Sequence, residues 1–184
     1  MSKVLIAVGA NTPGTWGAPG ETMRRAVVEL AAAGIHPLTL SRLYDTSPLG
    51  GVRQPRYSNA LVLAETALAP AQVLRGLKKI ERAAGRRLGR VWGGPRPLDL
   101  DLIDHDRRVI GWPVRRRERG RLILPHPEMH RRPFVLIPLL DVVATWRHPA
   151  LGMPARTQLL RMRRRRCDVV PVLVSRWPAC QESG

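Results

Sequence analysis

The chain has 184 residues, enough for one domain with a sizeable core, and its 44% hydrophobic content argues against a disordered polypeptide. The formal net charge of +17 predicts attraction to polyanions, although charge alone does not choose among nucleotides, nucleic acid and acidic membranes. No run reaches 18 apolar residues and no signal peptide is visible. We therefore expect no membrane association and a cytoplasmic location, where Cys167 and Cys180 stay reduced.

The first half of the chain alternates between strand and helix patterns. Residues 4–8 form an apolar run that is typical of a central strand, and residues 21–33 have helical spacing that ends at Gly34. Residues 35–44 predict a second strand. Residues 57–66 alternate between two faces, which indicates a third.

The second half continues this order. A helix is predicted from Pro70 to Gly85, a strand over residues 98–103 and a short helix over "PFVLIPLLDVV", with a basic excursion over residues 107–121. The resulting β-α-β-β-α-β order predicts an α+β, ferredoxin-like fold. We expect one domain over residues 1–160 and a basic, peripheral or partly disordered C-terminal tail over residues 161–184.

The stretch "RPLDLDLI" carries two carboxylates, Asp99 and Asp101, inside an apolar segment. Strand residues two apart point to the same side, with α-carbons roughly 6.5 Å apart. Bare carboxylates at that separation repel each other, and Mg²⁺ bound to phosphates would relieve the repulsion. The alternative is the polar face of an edge strand, with each aspartate paired to an arginine.

The segment "GPRPLDLDLI" resembles the signature of the 6-hydroxymethyl-7,8-dihydropterin pyrophosphokinases of folate synthesis. The segments "VLIAVGAN", "LYDTSPLGG", "QPRYSNA", "IERAAGRR" and "LPHPEMHRRPFVLIPL" also resemble this family, in the same order, over residues 3–152. The resemblance implies a ferredoxin-like sandwich with an antiparallel sheet and mobile active-site loops. It implies transfer of pyrophosphate from ATP to the pterin hydroxymethyl group, with release of AMP, by a chain that we expect to be a monomer.

The resemblance also implies roles for individual residues. Asp99 and Asp101 would hold two magnesium ions that bridge the ATP phosphates. They would form the catalytic set together with Arg86 and Arg96. The expected pterin-binding residues are Thr46, Pro48, Leu49, Tyr57, Asn59 and Phe134. The expected ATP-binding residues are Glu81, Arg86, Arg90, Trp92, Arg96, Leu102, Arg121, His126 and Arg132. Taken singly, such residues also fit core aromatics, a loop histidine and surface charges, and the proton acceptor is left open.

Two alternatives remain at this point. The family usually reads Arg-Trp-Gly-Pro-Arg where this chain reads "GRVWGGPR", which motivates the alternative of a catalytically weakened relative that still binds ATP or pterin. The basic surface allows a nucleic-acid-binding module on a ferredoxin-like sheet. Such modules stack bases on strand aromatics, and "VLIAV" and "LDLDLI" carry none, so we expect no nucleic-acid partner.

Overall fold

A computed structural model describes residues 1–48, 54–86, 94–113 and 121–162, and the backbone of residues 169–171. The strands are β1 (Ser2–Ala10), β2 (Ile35–Leu40), β3 (Tyr44–Thr46), β4 (Tyr57–Thr66), β5 (Asp99–His105) and β6 (Val169–Pro171). The helices are α1 (Pro19–Ala32), α2 (Pro70–Ala83), α3 (Pro133–Val142) and α4 (Ala155–Met162), and a single 3-10 turn spans Met129–Arg131. The expected loop segments that include residues 49–53 and 87–93 lie outside the described residues.

Local sequence sets the helix ends. Pro19 and Pro70 occupy first-turn positions, where a missing N–H costs no intrahelical hydrogen bond. The Glu21 carboxylate accepts a hydrogen bond from the Ala18 N–H at 2.8 Å, and Gln72 Oε1 accepts one from the Ala69 N–H at 2.8 Å. Gly34, which follows α1, has a φ of 78°, a conformation that glycine adopts without a steric penalty. Helix α2 therefore begins at Pro70 as the sequence predicts, whereas α1 begins at Pro19, two residues before the predicted start at residue 21.

The six strands form one sheet in the order β5-β1-β4-β3-β6, with β2 also paired to β4. Each of these strand pairs is antiparallel. The predicted α+β, β-α-β-β-α-β fold with an antiparallel sheet is thus confirmed. In this order β5 lies at one end, and β6, next to β3, lies at the other.

The single strand predicted over residues 35–44 is wrong in detail, because the chain forms two strands that both pair with β4. The interruption falls at Ser41. Its hydroxyl, rather than a backbone carbonyl, accepts the hydrogen bond of the Leu61 N–H at 2.8 Å. The regular backbone ladder stops there, and Leu43 turns into the core.

Part of the segment that was predicted as a tail has regular structure. Helix α4 runs past residue 160 to Met162, and β6 pairs with β3 at the edge of the sheet. The pairing places backbone from the predicted tail in the sheet itself. The domain boundary at residue 160 stays a prediction.

Apolar side chains form two clusters, one on each face of the sheet. Helices α1 and α2 cover one face, where they pack on the alternate residues of β1, β4 and β5. Helix α3, Ala155 of α4, and Met129 cover part of the other face, around Leu5, Leu61 and Ile103. The part of this second face that lies beyond Ala7 on β1 is open, and it carries the candidate site.

Candidate active site

The carboxylate pair lies on the face of β5 that the alternating pattern predicts. Leu98, Leu100 and Leu102 are buried in the cluster beneath α1 and α2. Asp99 and Asp101 point the other way and line a cavity of about 380 Å³. As the alternative expected, β5 is an edge strand and both aspartates have arginine partners. Both are also only partly exposed and face a concave surface, which an ordinary polar edge does not require.

Small residues on the central strand provide the room for this cavity. In the sheet register, Gly9 of β1 lies opposite Asp99 on one side and Asn59 of β4 on the other, and Ala7 lies opposite Asp101. A Cβ atom at Gly9 would come within 3.0 Å of Asn59 Oδ1. Glycine at this position therefore keeps the floor of the cavity open between the carboxylates and the Asn59 amide.

Two arginines hold Asp99 from opposite sides. Arg86 Nη1 donates to Oδ1 at 2.5 Å, and Arg96 Nη1 donates to Oδ2 at 2.6 Å. Burial alone would raise the pKa of Asp99, but the positive charges of Arg96 and Arg86 outweigh it and hold the pKa below its ordinary value. Asp99 is therefore ionised at neutral pH, with both oxygens engaged.

Glu81 does not line the cavity, but it is paired with Lys78 and Arg86, which do. Its side chain is only 3% exposed, and its Oε1 accepts hydrogen bonds from Lys78 Nζ and from the Leu100 N–H, both at 2.7 Å. Arg86 Nη1 lies 2.6 Å from the same oxygen. Burial raises the pKa of Glu81, and the charges of Lys78 and Arg86 oppose that rise. The carboxylate thus ties α2 to β5 between the two aspartates.

Asp101 has looser partners than Asp99. Arg132 Nη1 lies 3.5 Å from Oδ2, and His126 Nε2 lies 3.8 Å from the same atom. Burial lowers the pKa of His126, and this effect outweighs the attraction of Asp101 for a proton on the ring. We therefore treat His126 as neutral, so that Arg132 supplies the positive charge beside Asp101.

The opposite end of the cavity is amide and aromatic in character. Asn59 is 8% exposed, and its Nδ2 donates to Thr46 Oγ1 at 2.7 Å. The Tyr57 hydroxyl donates to the Gly94 carbonyl at 3.2 Å. The guanidinium of Arg132 lies 5.8 Å from the centre of the Phe134 ring, within the range of a cation–π contact. A flat heterocycle with donors and acceptors on its edge matches this combination.

The cavity brings together most of the site residues expected from the sequence. Those that line it are Thr46, Tyr57, Asn59, Arg86, Arg96, Asp99, Asp101, His126, Arg132 and Phe134. Three of the expected residues, Leu49, Arg90 and Trp92, lie outside the described residues.

Four expected residues lie in the described part of the chain but do not line the cavity: Pro48, Glu81, Leu102 and Arg121. Glu81 acts through its neighbours, as described above. Leu102 is 4% exposed and packs in the cluster on the opposite face, so its side chain cannot reach a ligand beside Asp101. The alternation of β5 already carried that signal. Arg121 is exposed, and Pro48 is partly exposed.

Several residues of the site were not identified from the sequence. Lys78 lines the cavity and donates to the Leu100 carbonyl at 3.1 Å. Asn11 bridges two loops, because its Nδ2 donates to the Pro55 carbonyl at 3.2 Å and its Oδ1 accepts the Arg96 N–H at 2.7 Å. Lys78 stands three residues before Glu81 on the same helix face, a spacing that could have revealed it. No local pattern identifies Asn11.

The donor atoms fit a magnesium ion only in partnership with phosphate. Asp99 and Asp101 offer the hard carboxylate oxygens that Mg²⁺ prefers. Within the described ranges, no group of three or more His, Cys, Asp and Glu side chains could hold a metal ion alone. Mg²⁺ commonly uses one or two carboxylates together with substrate phosphates and water, so a pair of aspartates suits a nucleotide-borne ion.

No helix in the described part of the chain is long and apolar enough to span a bilayer.

Known proteins share both the sequence and the fold of this chain. The 2-amino-4-hydroxy-6-hydroxymethyldihydropteridine pyrophosphokinase of Haemophilus influenzae is 34% identical to this chain over 145 residues. The alignment covers 78% of this chain and 83% of that protein. A folate synthesis bifunctional protein of Arabidopsis thaliana is 36% identical over 145 residues, 79% of this chain. The chain spans only 28% of that plant protein's length.

The fold recurs in a crystal structure of Plasmodium falciparum HPPK-DHPS. The two structures align with a TM-score of 0.64 at 14% sequence identity. The alignment covers 88% of this chain and 43% of the Plasmodium falciparum chain. The profile of the family described as "7,8-dihydro-6-hydroxymethylpterin-pyrophosphokinase (HPPK)" matches residues 5–144. The matched span contains the whole cavity, and the chain belongs to the HPPK family.

Proposed function

We propose that this chain transfers the pyrophosphoryl group of ATP to the hydroxymethyl group of 6-hydroxymethyl-7,8-dihydropterin and releases AMP. The observation that carries the proposal is one cavity that is lined both by cationic and carboxylate side chains and by amide and aromatic ones. A polyphosphate matches the first set, and a flat heterocycle matches the second. Family membership and the relatives' names support the same reaction.

In this proposal the pterin lies between Asn59 and Phe134. The Asn59 amide can both donate to and accept from the edge of a pterin, and the Phe134 ring can stack on its face. Thr46 fixes the Asn59 amide through the hydrogen bond between their side chains. Discrimination should be strong here, because a heterocycle without matching groups would leave this buried amide unpaired.

ATP occupies the other end, with its phosphates between the arginines and the aspartates. We propose that two magnesium ions, carried with ATP, are held by Asp99 and Asp101. When bound, such ions neutralise the charge of the phosphates. Each oxygen of Asp99 accepts one hydrogen bond from an arginine, Arg86 at Oδ1 and Arg96 at Oδ2, and keeps a second lone pair that would be available to a metal ion. The same two guanidinium groups also have further N–H donors that would suit phosphate oxygens.

The reaction is a direct displacement at the β-phosphorus. The pterin hydroxyl oxygen forms the new bond to this phosphorus, the bond to the α-phosphate oxygen breaks, AMP leaves and the hydroxyl proton is lost. Positioning and charge neutralisation supply most of the acceleration in such transfers. In this proposal Arg86, Arg96 and Arg132, which line the cavity, neutralise the charge of the transferred group, and Glu81 orients Arg86 through their ion pair. We also propose that the monomer is the active form.

The test is AMP release from ATP and magnesium, measured with and without 6-hydroxymethyl-7,8-dihydropterin. Pterin-dependent AMP, together with a pterin diphosphate identified by mass, is the expected result. Asp101→Ala should abolish it, whereas Asp106→Ala, which changes a carboxylate just beyond the end of β5, should not. Pterin binding without AMP release would favour a weakened relative. The absence of both pterin binding and AMP release would refute the proposal.

A further inference from the structure

Strand β3 has three residues, carries Thr46 at the pterin end of the cavity, and is paired with another strand on each side. Strand β3 pairs with β4 through Tyr44↔Asn59, Asp45↔Ser58 and Thr46↔Tyr57. It pairs with β6 through Tyr44↔Pro171, Asp45↔Val170 and Thr46↔Val169. The family profile ends at residue 144, so β6 lies in a part of the chain that the profile does not match.

Strand β3 matters to the site because of Thr46. This residue is 1% exposed, lines the cavity, and accepts the hydrogen bond of Asn59 Nδ2 at 2.7 Å. The position of the Asn59 amide therefore depends on where β3 holds the Thr46 hydroxyl. A three-residue strand with one free edge is weakly fixed, since each backbone hydrogen bond adds little net stability.

We infer that β6 is a positioning segment for the pterin end of the cavity, an inference that rests on the proposed function. By pairing with β3, β6 fixes Thr46 and through it the amide of Asn59. The ATP end should not depend on β6, because β5 lies at the opposite edge of the sheet and α2 packs against β5. Loss of β6 should therefore weaken pterin binding and leave ATP binding almost unchanged.

A second restraint on β3 predicts a graded effect rather than a complete loss. Arg56 Nε donates to Asp45 Oδ2 at 2.6 Å, and Arg56 Nη1 donates to Ser47 Oγ at 3.0 Å. These exposed contacts tie β3 to the start of β4 without β6. Removal of β6 should then raise the KM for pterin roughly tenfold, which corresponds to about 1.4 kcal/mol.

Proline substitutions offer a matched pair of variants within β6. Strand residues alternate in the direction of their N–H groups, and proline is tolerated at an edge strand where the N–H would face solvent. Since Pro171 already occupies β6, the N–H of residue 169 is expected to face away from β3, and the N–H of Val170 is expected to face it. Val170→Pro should break the pairing with β3, and Val169→Pro is the control.

The experiment measures KM for each substrate and kcat in the full chain, in both proline variants and in a chain that ends after Met162, with thermal unfolding to show that each is folded. The expected result is a roughly tenfold higher KM for pterin in Val170→Pro and in the shortened chain, with the KM for ATP within about twofold of the full chain. Val169→Pro should resemble the full chain.

Two kinds of result would overturn the inference while the full chain is active. One is an unchanged KM for pterin in both Val170→Pro and the shortened chain, and the other is an equal rise in KM for both substrates. A full chain without pterin-dependent AMP release would instead refute the proposed function on which the inference rests. If the shortened chain does not fold, Val170→Pro against Val169→Pro decides the question.

Discussion

Asp99 and Asp101 should differ sharply in their effect on stability, although both should be needed for turnover. Asp99→Ala removes two short charge-assisted hydrogen bonds and leaves Arg86 and Arg96 facing each other. These side chains are about a quarter exposed, so screening by water reduces the penalty. Arg86 also keeps Glu81 as a partner. We expect the free energy of unfolding to fall by about 1 to 3 kcal/mol.

Asp101→Ala should cost less than about 1 kcal/mol, because among the described residues its ion pair is with Arg132 at 3.5 Å and its contact with His126 involves a neutral ring. Urea unfolding of both variants measures this difference. AMP release at saturating substrates and magnesium should fall by on the order of 10³-fold or more in each. Equal destabilisation by the two substitutions would refute the geometric reasoning, and near-native turnover in either would refute the proposed role.

Three further outcomes follow from particular contacts. Glu81→Gln should lower the free energy of unfolding by about 2 kcal/mol and lower kcat, because it removes the buried negative charge that Lys78 and Arg86 share. Glu29→Gln, which changes a partly exposed carboxylate on α1, is the control for both measurements. Gly9→Val should raise the KM for pterin at least roughly tenfold, since even a Cβ would lie 3.0 Å from Asn59 Oδ1. Gly20→Ala, where a Cβ meets no atom within 4 Å, should leave that KM unchanged, and an equal response would contradict the explanation. Burial, with a smaller contribution from His130, lowers the pKa of His148 to about 4. As the pH falls from about 6.5, the unfolded chain therefore binds a proton at this ring before the folded chain does. The free energy of unfolding should then drop by up to about 1.4 kcal/mol per pH unit until about pH 4. Subtracting the denaturation profile of His148→Gln isolates this contribution, and identical slopes in the two proteins would show that folding does not lower the pKa of His148.

Much of the carboxylate face could be predicted from the sequence because its cause is local. Strand side chains alternate between two faces, so "LDLDL" alone places Asp99 and Asp101 together and opposite Leu100. The same rule places Leu102 in the core, against the ATP-binding role that the family resemblance implies for it. A role carried over by resemblance and a side-chain direction can thus disagree at one position.

The break in the predicted second strand shows why other features could not be predicted. Ser41 interrupts the strand because its hydroxyl meets the Leu61 N–H, a group 20 residues further along the chain. Local propensity contains no information about that partner. The position of β6 has the same origin, since its pairing with β3 joins Val169 to Thr46 across more than half of the chain.

The sequence by itself determined the order of the elements from β1 to β5 apart from the break at Ser41, the face of β5 that bears the carboxylates and the family to which the chain belongs. Only the tertiary structure decided which cations hold which carboxylate: Arg86 and Arg96 on Asp99, and Arg132 beside Asp101. It also placed Glu81 behind the site rather than in it. The physical reason is range. Periodicity acts between neighbours in the chain, whereas ion pairs depend on the order of strands and on the side of the sheet that each helix covers.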